Sequence, residues 1–154
     1  MVPPAYFSLG LLVCLAIVTS GQAAECPRGW LSYNGHCYGY FHQELTWSRA
    51  QASCQRYKAD LATILDADEH RAIADYLHRV QWDDEDVWIG LSVAGRNQEW
   101  LWPDGSNTGY TAWKRFKPPP FVKNEPCALL DEDSGFMLWD TDSCNDRNAF
   151  LCKL

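Results

Sequence analysis

Six cysteines follow an apolar N-terminal run, and their even number constrains this chain more than any other feature: Cys26, Cys37, Cys54, Cys127, Cys144 and Cys152. An even set in a chain bound for an oxidising compartment reads as disulfides. Zinc is the rival use, but there is no C-x-x-C and no His at ligand spacing. Six cysteines allow about 15 pairings, and spacing alone does not choose among them. None is left over for an interchain bridge, so a monomer is expected.

Export is read from the first residues. "YFSLGLLVCLAIV" (6–18) is an apolar run of signal-peptide length, and "TSGQAAE" supplies small residues for cleavage near Ala23 or Ala24. The run is shorter than the ~20 apolar residues a spanning helix needs. Residues 1–24 are therefore expected to be a secretory signal that takes Cys14 with it. Residues 25–154 form one domain, secreted and without a membrane span. No N-x-[ST] sequon occurs.

The chain has 154 residues, eight Trp and a net charge of −7. That many large rings in one small domain predict an irregular β-rich core filled by aromatics. The acidic balance argues against nucleic acid as a partner and leaves cations, basic partners and mineral surfaces open.

Along the mature chain, "WLSYNGHCYGYF" reads as a hairpin turning at Asn34-Gly35. Thr46 is placed to cap a helix over about 47–57, with Trp47, Ala50 and Cys54 on one face. Asp66 and Glu69 stand in capping-box spacing at the head of a second helix, whose expected buried stripe is Ile73, Leu77 and Val80. "VWIGL" (87–91) is a short buried strand. "EWLWPDGS" alternates Trp100 and Trp102 before a Pro103-Asp104-Gly105 turn. Residues 106–126 show little regular pattern. That length of loop in a small domain is usually functional or disordered, and Pro118, Pro119 and Pro120 stiffen it. "CALLD", "FMLWD" and "AFLCKL" read as closing strands. Two early helices and many short strands make an α+β domain.

These motifs carry a resemblance. "WIGL" at 88–91, "W-x-W-x-D-G" at 100–105, "LWDTDSC" at 138–144 and the terminal "RNAFLCKL" are similar to the C-type lectin-like domain over the whole mature chain. "CPRGWL", "CYGYF", "EHRAIA" and "DVWIGL" bring it nearest to the small secreted eggshell-matrix members, the struthiocalcin, ansocalcin and dromaiocalcin group. The lithostathine or Reg proteins come next. The resemblance implies two helices packed on short antiparallel sheets, with a long irregular loop and an N-terminal hairpin. It also implies the pairing Cys26–Cys37, Cys54–Cys152 and Cys127–Cys144. Chain entropy values the long Cys54–Cys152 closure at about 4–5 kcal/mol and the shorter ones at about 3 each, as upper figures. For Cys26 to reach Cys37, Pro27–Gly29 must bend the chain back.

Sugar-binding members of that family hold calcium in the long loop through a Glu-Pro-Asn triplet, a Glu before the next cysteine and a Trp-Asn-Asp triplet. Here Lys117, Pro118 and Pro119 stand four residues on from Trp113, where the first triplet belongs. Trp139, Asp140 and Thr141 replace the last. Glu125 and Asp140 remain as weak calcium candidates, with Lys117 opposing a cation. Calcium prefers 6–8 oxygens, so no complete metal site is expected and no obligatory cofactor. The candidate loop residues are Trp113, Lys114, Arg115, Lys117, Lys123, Glu125 and Asp140. Its cations read either as an anionic-glycan site or as solvated lysines.

The acids form clusters separated in sequence: Asp83, Asp84, Glu85 and Asp86, then Asp131, Glu132 and Asp133, then Asp140, Asp142 and Asp146. They read either as solubilising charge or as an array meeting calcium at a crystal face through many weak contacts. The eggshell resemblance favours the array and implies calcium carbonate mineral, with other matrix proteins, as partners. Two further readings are a Reg-type lectin for glycans or bacterial cell walls and a protein-binding module. No catalytic set emerges. His36, His42, His70 and His78 form no metal pair, His70 and His78 read as surface residues of one helix, and Cys37 beside His36 should be oxidised. No G-x-S-x-G, phosphate loop or zincin motif occurs.

Overall fold

The structure is a computed structural model that describes residues 25–94, 98–115 and 126–154. The signal reading of residues 1–24 lies outside them, as do Lys117, Lys123 and Glu125.

Strands β1 (Leu31–Tyr33) and β2 (His36–Leu45) form the expected hairpin. Asn34 and Gly35 both take positive φ, +47° and +81°, as a type I′ turn requires. Before it, Trp30 N–H donates to the Pro27 carbonyl at 3.0 Å, closing the bend that lets Cys26 meet Cys37. Helix α1 (Trp47–Gln55) ends two residues short of the expected limit. Thr46 occupies its N-cap but its hydroxyl makes no capping hydrogen bond. Instead the Trp47 indole N–H donates to the Ile89 carbonyl at 2.9 Å, fixing the helix entry through tertiary contact.

After β3 (Asp60–Leu61), helix α2 (Ala67–Val80) begins as its sequence predicts, with the Asp66 carboxylate accepting from Glu69 N–H at 2.8 Å. The Glu69 side chain does not complete an ordinary capping box. It is buried, accepts from Leu65 N–H at 2.8 Å and from the Tyr38 hydroxyl at 2.6 Å, and pairs with Lys153. Two helix expectations are corrected. Val80 is exposed, because the stripe rotates at the last turn, and the buried face runs through His70, Ile73, Ala74, Tyr76 and Leu77. His70 is not a surface residue but fully buried.

The remaining strands are β4 (Val87–Ala94), β5 (Glu99–Leu101), β6 (Pro126–Leu130), β7 (Trp139–Ser143) and β8 (Asn148–Lys153). The expected "FMLWD" strand starts three residues late. Glu132–Ser134 is a 3-10 turn and Phe136 has φ +63°, so the chain reverses before pairing. The strands join in one sheet ordered β1-β2-β8-β4-β6-β7, with β3 added to β8 and β5 to β4. All pairs are antiparallel except β4 with β8. Gly90 of "WIGL" is needed where β4 passes the β3 segment: a Cβ there would lie 2.5 Å from the Leu61 carbonyl oxygen.

The core has two lobes. One gathers α2 with Trp100, Trp102, Trp113 and Trp139, the other α1 with Trp88, Phe150 and the Cys54–Cys152 bridge. Trp88, Trp100, Trp102, Trp113 and Trp139 are all buried, as the aromatic content predicted. The three disulfides pair as the family pattern implied, with Cα separations of 5.4, 5.4 and 5.1 Å.

Candidate functional site

Three sequence-distant acidic segments meet at the β6–β7 end of the sheet. Asp86, just before β4, accepts a hydrogen bond from Glu132 N–H at 2.9 Å. This joins the 83–86 segment to the 131–133 segment. Burial pushes the Asp86 carboxyl above its ordinary range, and the charges of Asp131, Asp133 and Asp140 push the same way against the Glu132 hydrogen bond. Glu132 is raised by desolvation and by Asp84, Asp133, Asp86 and Asp131. Asp84 and Asp86 thus lie with Asp131, Glu132, Asp133 and Asp140 in one acidic region.

Asp142 lies further along β7 and forms a smaller group. It is raised by burial and by a side-chain hydrogen bond with Asp146, while the Asn148 amide, donating at 3.2 Å, opposes the shift. Glu44, near the end of β2, is a further acid that no local pattern singles out. Its side chain hydrogen-bonds Glu85, whose carboxyl is pushed up to about 7 by burial, by Glu44 and by Asp83.

The expected loop site divides. Trp113 is not available to a ligand: it is 4% exposed, 4.8 Å from the Trp100 ring and 5.6 Å from the Trp139 ring. The reason is backbone pairing. Trp139 N–H donates to the Ala112 carbonyl at 2.7 Å and Lys114 N–H to the Trp139 carbonyl at 2.9 Å, which lays 112–114 along β7.

That pairing directs Lys114 toward the acids. Its ammonium lies 3.4 Å from Asp131 Oδ2 and 3.9 Å from Asp140 Oδ2. It also donates a long hydrogen bond of 3.4 Å to Asp131 Oδ1. Asp131 is 5% exposed, and its Oδ2 has the ammonium's charge nearby but no hydrogen bond among the described residues. The Lys114 ammonium is held above its ordinary range by the Asp131 hydrogen bond first, then by the charges of Asp131 and Asp140. Lys114 thus acts as a counterion of Asp131 and Asp140 while its side chain stays 43% exposed. Arg115 is exposed. Asp140 is half-exposed and accepts from Thr141 N–H at 2.9 Å. Among the described residues, no three His, Cys, Asp or Glu side chains are grouped to hold one metal ion. The summed charge of this face attracts cations.

Among the described residues no helix is long and apolar enough to cross a membrane. Residues 43–154 match the family model described as Lectin C-type domain. Dromaiocalcin-1 of Dromaius novaehollandiae is 46% identical over 136 residues, covering 86% of this chain and 92% of that protein. Human lithostathine superposes with TM-score 0.78 at 30% identity, covering 87% of this chain and 93% of the other. Ovocleidin-17, described as a major protein of the Gallus gallus eggshell calcified layer, superposes with TM-score 0.73 at 34% identity, covering 84% and 98%. The sequence match, the two-helix fold and the paired cysteines together place this chain in the C-type lectin domain family.

Proposed function

We propose that this is a secreted, non-enzymatic C-type lectin-like matrix protein that associates with calcium carbonate mineral through its acidic face. The observation that supports this reading is the convergence of Asp84, Asp86, Asp131, Glu132, Asp133 and Asp140. Such an array offers many weak, exchangeable contacts to surface calcium ions, and their number supplies the retention. The likeness to dromaiocalcin-1 and ovocleidin-17 points the same way. In this reading residues 1–24 act as the secretory leader and the mature domain works as a monomer.

Adsorption to calcite tests it. A variant carrying Asp83→Asn, Asp84→Asn, Glu85→Gln and Glu132→Gln should adsorb about tenfold more weakly, each lost contact costing a fraction of a kcal/mol. Unchanged adsorption would remove this face from the mechanism. A glycan-binding reading draws on family membership and the fold shared with lithostathine. In its anionic-glycan form the ligand competes with Asp131 and Asp140 for Lys114.

A further inference from the structure

Trp82 is the most exposed large apolar side chain among the described residues, at 79%, while five other tryptophans of this chain are buried. It sits between the end of α2 and the acids Asp83, Asp84 and Glu85. The segment that carries it is fixed at both ends. Gln81 Nε2 donates to the Glu85 carbonyl at 2.6 Å and to the Tyr40 hydroxyl at 3.3 Å. Asp86 at the far end holds Glu132 N–H. Among the described residues, ion pairs engage Asp131, Asp140 and Glu69, and none reaches Glu44, Asp83, Asp84 or Glu85. An exposed indole thus directly precedes the acids Asp83, Asp84 and Glu85 in a tethered segment, and among the described residues no ion pair engages those acids.

A mineral face satisfies the carboxylates but leaves the indole hydrated. Both are satisfied together by a planar cation. A guanidinium is weakly hydrated, stacks on an aromatic face and hydrogen-bonds carboxylates with its edge. We propose that Trp82, with Asp83, Asp84, Glu85 and Glu44, forms a docking surface for an arginine-rich segment of a partner protein. Charge complementarity selects the segment and the indole selects arginine over lysine. The surface shares Asp83, Asp84 and Glu85 with the mineral reading, and Trp82, which has no part in that reading, separates the two.

The experiment titrates the mature protein at 0.15 M salt with an alternating Arg-Gly dodecapeptide and its Lys-Gly counterpart, and measures calcite adsorption in parallel. The Arg peptide should bind, and the Lys peptide more weakly. Trp82→Ala should weaken Arg-peptide binding about fivefold, the scale of one exposed cation–π contact. It should leave the melting temperature and calcite adsorption unchanged, and Trp82→Phe should recover part of the loss. Four results would overturn the proposal: no Arg-peptide binding at this salt, equal binding by Trp82→Ala, a parallel loss of calcite adsorption in Trp82→Ala, or salt-independent capture of a neutral oligosaccharide through the same indole.

Discussion

His70 joins three parts of the chain through a single ring. Its Nε2 lies 2.7 Å from the Phe136 carbonyl, which can only accept, so Nε2 carries the proton. Nδ1, 2.8 Å from the Tyr110 hydroxyl, then accepts from it. Helix α2, the 106–115 segment and the turn before β7 are tied together in this way. Burial lowers the His70 pKa, more than the Phe136 hydrogen bond and Glu69 raise it. The unfolded chain therefore takes up the proton first as pH falls. The stability contributed by neutral His70 is complete above its unfolded value of about 6.5 and is lost as pH drops toward the folded value.

Glu85 has the opposite sign, since its folded pKa is raised to about 7 from 4.5. Its contribution is complete below the unfolded value and is lost as pH rises through the folded one. In the native chain the two trends offset each other between these limits. Melting temperature measured from pH 8 to pH 5 should fall more steeply for Glu85→Gln than for the native chain. Parallel curves would show that the Glu44–Glu85 contact does not act on stability.

At the scale of elements, β7 is the outer strand of the sheet and would offer an open edge for pairing with another chain. Its sequence covers that edge locally. The Asp140 carboxylate accepts from Thr141 N–H at 2.9 Å and Asp142 from Ser143 N–H at 3.0 Å, while 112–114 shield Trp139. Replacing both acids, Asp140→Ala with Asp142→Ala, exposes two donors and removes two charges. The double variant should aggregate faster than the native chain when light scattering is followed at a temperature below melting. Equal aggregation would assign the edge protection to other parts of the molecule.

These elements also show how far sequence reasoning reached. Asp66 and Asn34-Gly35 were legible because capping and type I′ turns are local, needing only residues within four positions. The Trp100–Trp102 alternation was legible for the same reason. Val80 and His70 were misplaced because the helix face is chosen by what packs on it. Asp86 and Glu132 are 46 residues apart, and no local signal foretells that they share a hydrogen bond. The Lys114 contacts are hidden from local reading for the same reason: its acids come from β7 and the turn after β6.

For the whole molecule, the sheet and its three bridges hold a scaffold on which sequence-distant charges accumulate, and among the described residues they form no chelating cluster. Lys114 pairs with buried Asp131 and half-exposed Asp140, and among the described residues no ion pair reaches Asp83, Asp84, Glu132 or Asp133. Recognition by such a surface is diffuse, screened by salt and dependent on many contacts. Calcium titration of the mature protein by calorimetry tests this most directly. Several weak sites that fade between 0.05 and ~0.3 M salt are expected, as exposed charges are progressively screened. A single stoichiometric calcium bound tightly and insensitively to salt would contradict it.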